Sequence, residues 1–267
     1  MLGQRIITAV GLVAVLAVVL LLLPPPYAVA AFAGMILAGA WEWAAFAGLE
    51  SPLARIAYAG CCALAMAALW LASQGLADFV LVLAIVLLGW IPLFGWTVLA
   101  PGRAVRSLAA VAGIWVLAPA WLALARLYLQ EVHGRELAVF VLLLAWAADI
   151  GAYFAGAYFG RLRLAPLVSP NKTWEGVLGG LFAGLLVATA GMVWFALPPL
   201  AFLSLCIAAV LVSVVGDLVE SMFKRQRGMK DSGNLLPGHG GVLDRIDSLT
   251  PSVPLLALGF CWLGLVT

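Results

Sequence analysis

Charged residues are scarce in this chain of 267 residues, where Asp, Glu, Lys and Arg make up 10% and hydrophobic residues 66%. A soluble domain carries roughly 25% charged residues, and a water-facing surface could not accommodate so much apolar side chain. Soluble folds are therefore excluded, and lipid is the expected solvent for most of the chain. The net charge of +2 gives no bulk attraction for nucleic acid, so no nucleic-acid partner is expected.

Cysteine pairs of the CxxC type are also missing. The four cysteines, Cys61, Cys62, Cys206 and Cys261, all lie inside apolar runs. Such cysteines are expected to be small buried hydrophobic residues rather than metal ligands or redox centres.

Nine apolar segments are long enough for membrane-spanning helices, which need about 20 residues each. They cover residues 6–23, 27–49, 53–71, 79–99, 108–129, 137–158, 177–197, 200–219 and 249–266. Proline-containing breaks such as 24–26, 51–52, 101–102 and 198–199 separate several of them. We therefore expect an all-α polytopic membrane protein with about nine transmembrane helices.

The first segment is open to a second interpretation as a signal peptide, because residues 28–30 read Ala-Val-Ala. Its apolar run is longer than the usual signal core, and three prolines follow it, which favours a retained helix. The orientation of the rest is the same in either case.

Lys and Arg placement predicts a cytoplasmic N-terminus. That orientation places every basic residue except Arg126 and Arg135 on the cytoplasmic side, as the positive-inside rule requires. Compactness and the lack of targeting tails lead us to expect a multi-pass protein of a bacterial inner membrane, with the site facing the cytoplasm.

Polar residues are unevenly distributed along the chain. Residues 1–148 hold few charges and no chemical motif, whereas polar residues concentrate in two later stretches, 161–176 and 216–248. We therefore divide the chain into an N-terminal transmembrane region, 1–148, and a catalytic region, 149–267, with both stretches as cytoplasmic loops.

The second stretch begins with a helical pattern of polar residues. If the eighth helix continues beyond the membrane edge, Asp217, Glu220, Ser221 and Lys224 share one face, because they are spaced three or four residues apart. A carboxylate at membrane depth is costly and indicates function.

The same stretch contains the components of phosphoryl-type transfer. Asp217, Asp244 and Asp247 offer the hard oxygen ligands that Mg²⁺ prefers. The loop 237–241, Pro-Gly-His-Gly-Gly, has glycines that let backbone N–H groups approach an anion. Basic partners for phosphates are Lys224, Arg225, Arg227 and Lys230. Each feature alone has an ordinary interpretation, as a membrane anchor or a turn. Their combination indicates phosphoryl-type transfer.

A longer pattern runs through this region. Its fixed positions are Ser221, Lys224, Arg225, Lys230, Asp231, Gly233, Leu236, Pro237, His239, Gly240, Gly241, Asp244, Arg245 and Asp247. This pattern resembles the signature of the phosphatidate cytidylyltransferase (CDP-diacylglycerol synthase) family. Residues 149–154 and 169–176 are similar to two other blocks of that family, so the resemblance covers the chain from Asp149 onward.

The resemblance implies an enzyme that transfers CMP from CTP to phosphatidic acid for phospholipid biosynthesis. It implies Mg²⁺ at Asp217 and Asp244, with Asp247 close by, and leaves a second metal ion open. It also implies a homodimer within the lipid bilayer. The catalytic set is Asp217, Asp244, Lys224, Arg225, Lys230, Asp231, His239, Arg245 and Asp247. The substrate-binding set is Ser169, Lys172, Ser221, Gly240, Gly241 and Asp149.

Histidine chemistry is not required for this reaction. A phosphate monoester has a second pKa of about 6 and is already mostly a dianion at neutral pH. We therefore expect His239 to hydrogen-bond a phosphate or orient the loop, rather than to act as an obligatory base.

Three features outside the signature have their own interpretations. Asp149, within an apolar span, is either a structural polar residue paired inside the bundle or the floor of the site. Glu42, between two tryptophans, is expected to have a packing or interfacial role. Gly176, Gly180 and Gly184 repeat every four residues, which predicts a helix-packing face.

Other functions remain open on the sequence. A CTP-using enzyme acting on another lipid, such as a polyprenol kinase, would share the basic, acidic and glycine-rich site. A transporter would explain Asp149 and Asp217, but not the glycine loop. An enzyme that transfers a phospho-alcohol from CDP-linked lipids needs a DGxxAR-type motif, which the chain lacks.

Overall fold

The computed structural model describes residues 2–236, 238 and 240–266, and these residues form nine α-helices. The helices are α1 (Leu2–Leu21), α2 (Pro25–Phe46), α3 (Pro52–Ala72), α4 (Leu76–Leu99), α5 (Arg106–Tyr128), α6 (Gly134–Phe159), α7 (Trp174–Trp194), α8 (Pro199–Gln226) and α9 (Leu249–Trp262). Two strands, β1 (Arg163–Ala165) and β2 (Ser169–Thr173), and a 3₁₀ turn, Leu243–Arg245, complete the described regular structure.

Seven of the described helices, α2 to α8, are long and apolar enough to cross a membrane. The predicted all-α polytopic class is therefore confirmed. Helix α9 differs from the predicted ninth span, because it has 14 residues where about 20 are needed to cross. Most of its residues are buried, and it packs against α8, α5 and α4. Helix α9 is therefore mainly a core helix of the bundle.

Proline marks the start of several helices, as the sequence breaks predict. Pro25, Pro52 and Pro199 lie in the first turn of α2, α3 and α8, where the missing N–H has no intrahelical partner in any case. Before α3, the hydroxyl of Ser51 accepts a hydrogen bond from the backbone N–H of Ala54 at 3.2 Å, which caps the helix.

Helices α6 and α7 make the most extensive helix pair in the described chain. A Cβ atom built on Gly179 would overlap the Cβ of Ala155, and one built on Gly180 would lie 2.9 Å from the carbonyl oxygen of Ala148. Glycine therefore lets the two backbones approach closely. Gly176 also faces α6 and Gly184 faces Val210 of α8, so the predicted packing face is confirmed.

The stretch between α6 and α7 folds into a β-hairpin, which the sequence pattern did not predict. Strands β1 and β2 pair antiparallel, with Arg163 opposite Thr173 and Ala165 opposite Ser169. The hydroxyl of Thr173 then accepts a hydrogen bond from Gly176 N at 3.1 Å and caps α7. The residues just before α7 therefore belong to the hairpin.

Candidate active site

A cavity of about 620 Å³ lies between α6, α7, α8, the hairpin and the 3₁₀ turn. Its polar wall is made by residues from three separate parts of the chain. They are Asp149, Arg163, Asn171, Lys172, Asp217, Asp244, Arg245 and Asp247, with Thr173 and Ser213. The cavity therefore joins the two stretches that the sequence singles out, together with Asp149 of the span before them.

The predicted polar face of α8 is confirmed, because the helix continues to Gln226 without a break. The Ser221 hydroxyl donates a hydrogen bond to Asp217 Oδ1 at 3.2 Å. One turn further, Lys224 Nζ lies 3.2 Å from Glu220 Oε1. Of these residues, Asp217 lines the cavity, whereas Glu220, Ser221 and Lys224 continue α8 beyond the described lining.

The hairpin contributes a cation to this face. Lys172 Nζ lies 2.5 Å from Asp217 Oδ2, and both side chains are partly exposed. Because Lys172 belongs to β2 and Asp217 to α8, this ion pair links two elements of the cavity wall. It also joins the two predicted cytoplasmic loops.

Asp244 is held by a dense set of donors. Its Oδ1 accepts a hydrogen bond from Lys224 Nζ at 2.7 Å. Its Oδ2 accepts hydrogen bonds from Ser232 N at 3.0 Å, Ser232 Oγ at 2.9 Å and Gly241 N at 2.9 Å. Burial would raise the pKa of the Asp244 carboxyl, but the Lys224 ammonium and these N–H groups hold it below its usual range. Asp244 is therefore a carboxylate at neutral pH.

The glycine loop has the backbone that its sequence predicts. Gly238 and Gly240 have φ angles of +80° and +83°, which glycine adopts without steric cost. A Cβ built on Gly240 would also lie 2.9 Å from Asp244 Oδ2. Pro237 and His239 fall outside the described residues, so the hypothesis for His239 stays a prediction.

Two more carboxyl groups border the cavity. Asp247 is buried, its Oδ1 accepts a hydrogen bond from Ser248 N at 2.8 Å, and burial together with the charge of Asp217 raises its pKa. Asp149 Oδ2 accepts a hydrogen bond from the Ser248 hydroxyl at 3.2 Å and also lines the cavity. Both interpretations of Asp149, as a paired polar residue and as part of the site wall, thus have a structural counterpart.

Several predicted site residues lie away from the cavity wall. Arg225 donates hydrogen bonds to the carbonyls of Val168, at 3.3 Å, and Met229, at 3.2 Å, so its guanidinium ties the hairpin to the end of α8. Lys230 and Asp231 are exposed. Ser169, at the start of β2, is half-buried, and it too is absent from the described cavity lining.

Glu42 is the residue whose place the sequence least indicated. It is 2% exposed, and its carboxylate accepts hydrogen bonds from Val242 N at 3.1 Å, Leu243 N at 2.8 Å and the Ser232 hydroxyl at 3.1 Å. The one available signal was an isolated carboxylate in an apolar span. Glu42 of the N-terminal region therefore contacts the predicted catalytic region, and in place of the expected packing or interfacial role it has a buried hydrogen-bonding one.

The donor set of the cavity suits a divalent cation shared with a substrate. Among the described residues, no group of three Asp, Glu, His or Cys side chains is arranged to hold a metal by itself. Magnesium, however, binds proteins through one or two carboxylates and completes its shell with substrate phosphates and water. Asp217 and Asp244 fit that requirement, because both line the cavity. Each is paired with a lysine in the structure.

Comparisons with known proteins find similar sequences over most of the chain. The sequence model of the Cytidylyltransferase family matches residues 3–262. A phosphatidate cytidylyltransferase of Pseudomonas aeruginosa is 46% identical over 265 residues, covering 96% of each chain. The enzyme of that name from Haemophilus influenzae is 38% identical over 286 residues, covering 96% of this chain and 98% of its own. One from Brucella suis is 46% identical over 153 residues, or 55% of each chain.

Proposed function

The chain belongs to the cytidylyltransferase family, and on that premise we propose that it transfers CMP from CTP to phosphatidic acid. The products are CDP-diacylglycerol and pyrophosphate. A phosphate oxygen of phosphatidic acid attacks the α-phosphorus of CTP, the bond to the β-phosphate bridging oxygen breaks, and pyrophosphate leaves with that oxygen. This reaction joins a water-soluble nucleotide to a lipid headgroup, which suits a membrane protein.

The observation that carries the proposal is the shared cavity. Its wall contains both cations and carboxylates: Lys172, Arg163 and Arg245 line it together with Asp217, Asp244 and Asp247. Cations recognise the phosphates of both substrates, and carboxylates suit the metal that accompanies a nucleoside triphosphate. A volume of about 620 Å³ lies within the range of about 300–1,000 Å³ for ligand pockets.

The lysines have a second role in this scheme. Lys172 and Lys224 are held by Asp217 and Asp244, within 2.7 Å in both cases. A triphosphate offers an ammonium group in the cavity wall new anionic partners, and Lys172 lies in that wall. Lys224 is absent from the described lining and contacts it through Asp244. Lys172 would orient the nucleotide and stabilise negative charge on the leaving pyrophosphate, and Lys224 would hold Asp244 in place.

Asp217 and Asp244 would hold Mg²⁺, with Asp247 beside them. The ion would neutralise the triphosphate and stabilise charge on the leaving group. The support is the carboxylate donor set and the low pKa of Asp244, which keeps one ligand ionised.

The membrane setting completes the proposal. We place the cavity at the cytoplasmic face of a bacterial inner membrane, where CTP arrives from the cytosol and phosphatidic acid from the bilayer. The basic residues of the two catalytic stretches support that orientation. A homodimer is proposed from the family resemblance alone.

The test is CDP-diacylglycerol formation by the purified protein in mixed micelles with CTP, phosphatidic acid and Mg²⁺. Asp217→Asn and Asp244→Asn are assayed beside the wild type, with thermal melting to show that each variant is folded. We expect product from the wild type only in the presence of metal, and at least 100-fold less from either variant.

Each contrary result has a separate meaning. Full activity in both folded variants would keep the reaction and overturn the metal ligands. No product from a folded wild type, with phosphatidic acid and metal varied, would overturn the reaction. A parallel assay with CTP and a polyprenol then tests the lipid-kinase alternative.

A further inference from the structure

Glu42 lies near the end of α2, yet its hydrogen-bond partners all belong to the catalytic region. Oε1 accepts from Val242 N at 3.1 Å, and Oε2 accepts from Leu243 N at 2.8 Å. Those two N–H groups open the 3₁₀ turn Leu243–Arg245. A buried carboxylate therefore holds the backbone immediately before Asp244.

A single hydroxyl group links Glu42 to Asp244. Ser232 Oγ lies 3.1 Å from Glu42 Oε2 and 2.9 Å from Asp244 Oδ2. A serine hydroxyl has one proton to donate, so the two carboxylates share this donor. The hydrogen bonding of Glu42 and that of Asp244 thus meet at one side chain.

Two glycines of the family-like pattern make room for Glu42. A Cβ atom built on Gly233 would overlap Glu42 Oε1, and one built on Gly241 would overlap Glu42 Oε2 and the Ser232 hydroxyl. Both glycines lie within the pattern of residues 221–247, whereas Glu42 lies far outside it. The glycine positions therefore have a structural reason that involves the N-terminal region.

We propose that Glu42 is a positioning residue, which holds the segment 240–243 so that Asp244 faces the cavity in its metal-binding orientation. This inference rests on the proposed function. Glu42 is 2% exposed and absent from the described cavity lining, so it acts through Asp244 and does not itself touch substrate or metal.

Glu42→Gln is the sharpest variant, because it keeps the size of the side chain. A glutamine amide has one acceptor oxygen, and its NH₂ group can only donate. One of the two loop N–H groups then meets a donor instead of an acceptor, and a buried donor without a partner is costly. Glu50→Gln is the matched control, since Glu50 is exposed and pairs only with Arg227 at 3.3 Å in the described structure.

Two measurements separate positioning from general stability. Hydrogen exchange, followed by mass spectrometry, reports on a peptide covering residues 240–245 and on reference peptides from α6 and α7. CDP-diacylglycerol formation is measured against Mg²⁺ concentration at saturating CTP. For Glu42→Gln we expect at least 10-fold faster exchange in residues 240–245 with unchanged references, and about 10-fold more Mg²⁺ for half-maximal rate. Glu50→Gln leaves both values unchanged.

The outcomes distinguish this inference from the proposed function. If the wild type forms no CDP-diacylglycerol, the proposed function fails, and the exchange measurement alone decides whether Glu42 holds the loop. If the wild type is active but Glu42→Gln changes neither readout, or speeds exchange equally everywhere with the same Mg²⁺ dependence, the inference is overturned.

Ser232→Ala covers the case in which Glu42→Gln does not fold. It retains Glu42 and removes only the shared hydroxyl. We expect a shift of both readouts in the same direction, about 3-fold in size. An unchanged Mg²⁺ dependence in this variant would overturn the inference as well.

Discussion

Lys224 Nζ donates to Asp244 Oδ1 at 2.7 Å, so one ion pair joins the end of α8 to the glycine-rich segment twenty residues later. Both side chains are nearly buried, at 11% and 13% exposure. The same ammonium group lies 3.2 Å from Glu220. The cation thus lies between two acidic side chains, of which Asp244 lines the cavity.

Loss of this cation should be strongly destabilising. Lys224→Met leaves the largely buried carboxylate of Asp244 without its counter-ion, and breaking such a pair costs roughly 3 kcal/mol. We expect a clear fall in the thermal midpoint in detergent and loss of CDP-diacylglycerol formation. Lys230→Met, at an exposed position, is the control for stability. The double variant Lys224→Met/Asp244→Asn should recover part of the stability but no activity; full additivity would contradict the pair.

The second lysine should behave differently. Lys172 and Asp217 are 24% and 32% exposed, and partly solvated ion pairs contribute at most about 1 kcal/mol. Lys172→Met should therefore leave the thermal midpoint nearly unchanged while raising the KM for CTP at least 10-fold. A parallel fall in stability and rate, with an unchanged KM, would show that Lys172 has only a structural role.

Close packing of α6 and α7 predicts a sharp difference between glycines. Gly179→Leu forces a side chain into Ala155 of α6, and overpacking of this kind costs about 1–3 kcal/mol or more. Gly60→Leu, on α3, is the control, because nothing lies within 4 Å of a Cβ built there. We expect a lower thermal midpoint for Gly179→Leu alone. Equal effects at both positions would contradict the packing.

Asp247 should make stability depend on pH in the metal-free protein. Burial and the charge of Asp217 raise its pKa to about 7. Between about pH 4 and this value, the unfolded chain therefore binds fewer protons than the folded one. Stability therefore falls as pH rises through this interval. Asp247→Asn removes the ionisation, so its thermal midpoint should exceed that of the wild type at pH 7.5 and approach it near pH 5. A constant difference across this range would contradict the assignment.

The local structure of the second polar stretch, 216–248, was predictable where it depends on neighbouring residues. The helical spacing of Asp217, Ser221 and Lys224 required only that α8 continue, and it does. Gly238 and Gly240 have the positive φ angles that a glycine loop suggests. The hairpin was not predictable, because its strands have three and five residues, and most of those in β2 are polar.

Contacts between residues that are distant in sequence could not be predicted from sequence patterns. Glu42 and Leu243 are 201 positions apart, and no spacing rule relates them. The same holds for Asp149 and Ser248, which meet only because α6 packs beside the start of α9. The role of Arg225, which binds the Val168 carbonyl, likewise depends on the hairpin fold.

The sequence by itself determined the membrane setting, the all-α class and the residues of the chemical signature, because hydrophobicity, helix length and local spacing act over short stretches of chain. Only the tertiary structure decided which of those residues share a cavity, which lysine neutralises which carboxylate, and that Glu42 supports the loop before Asp244. The physical reason is that a buried charge is stable only beside its partner. That partner is chosen by helix packing across the whole bundle, where small residues such as Gly179 and Gly241 set how closely the elements approach.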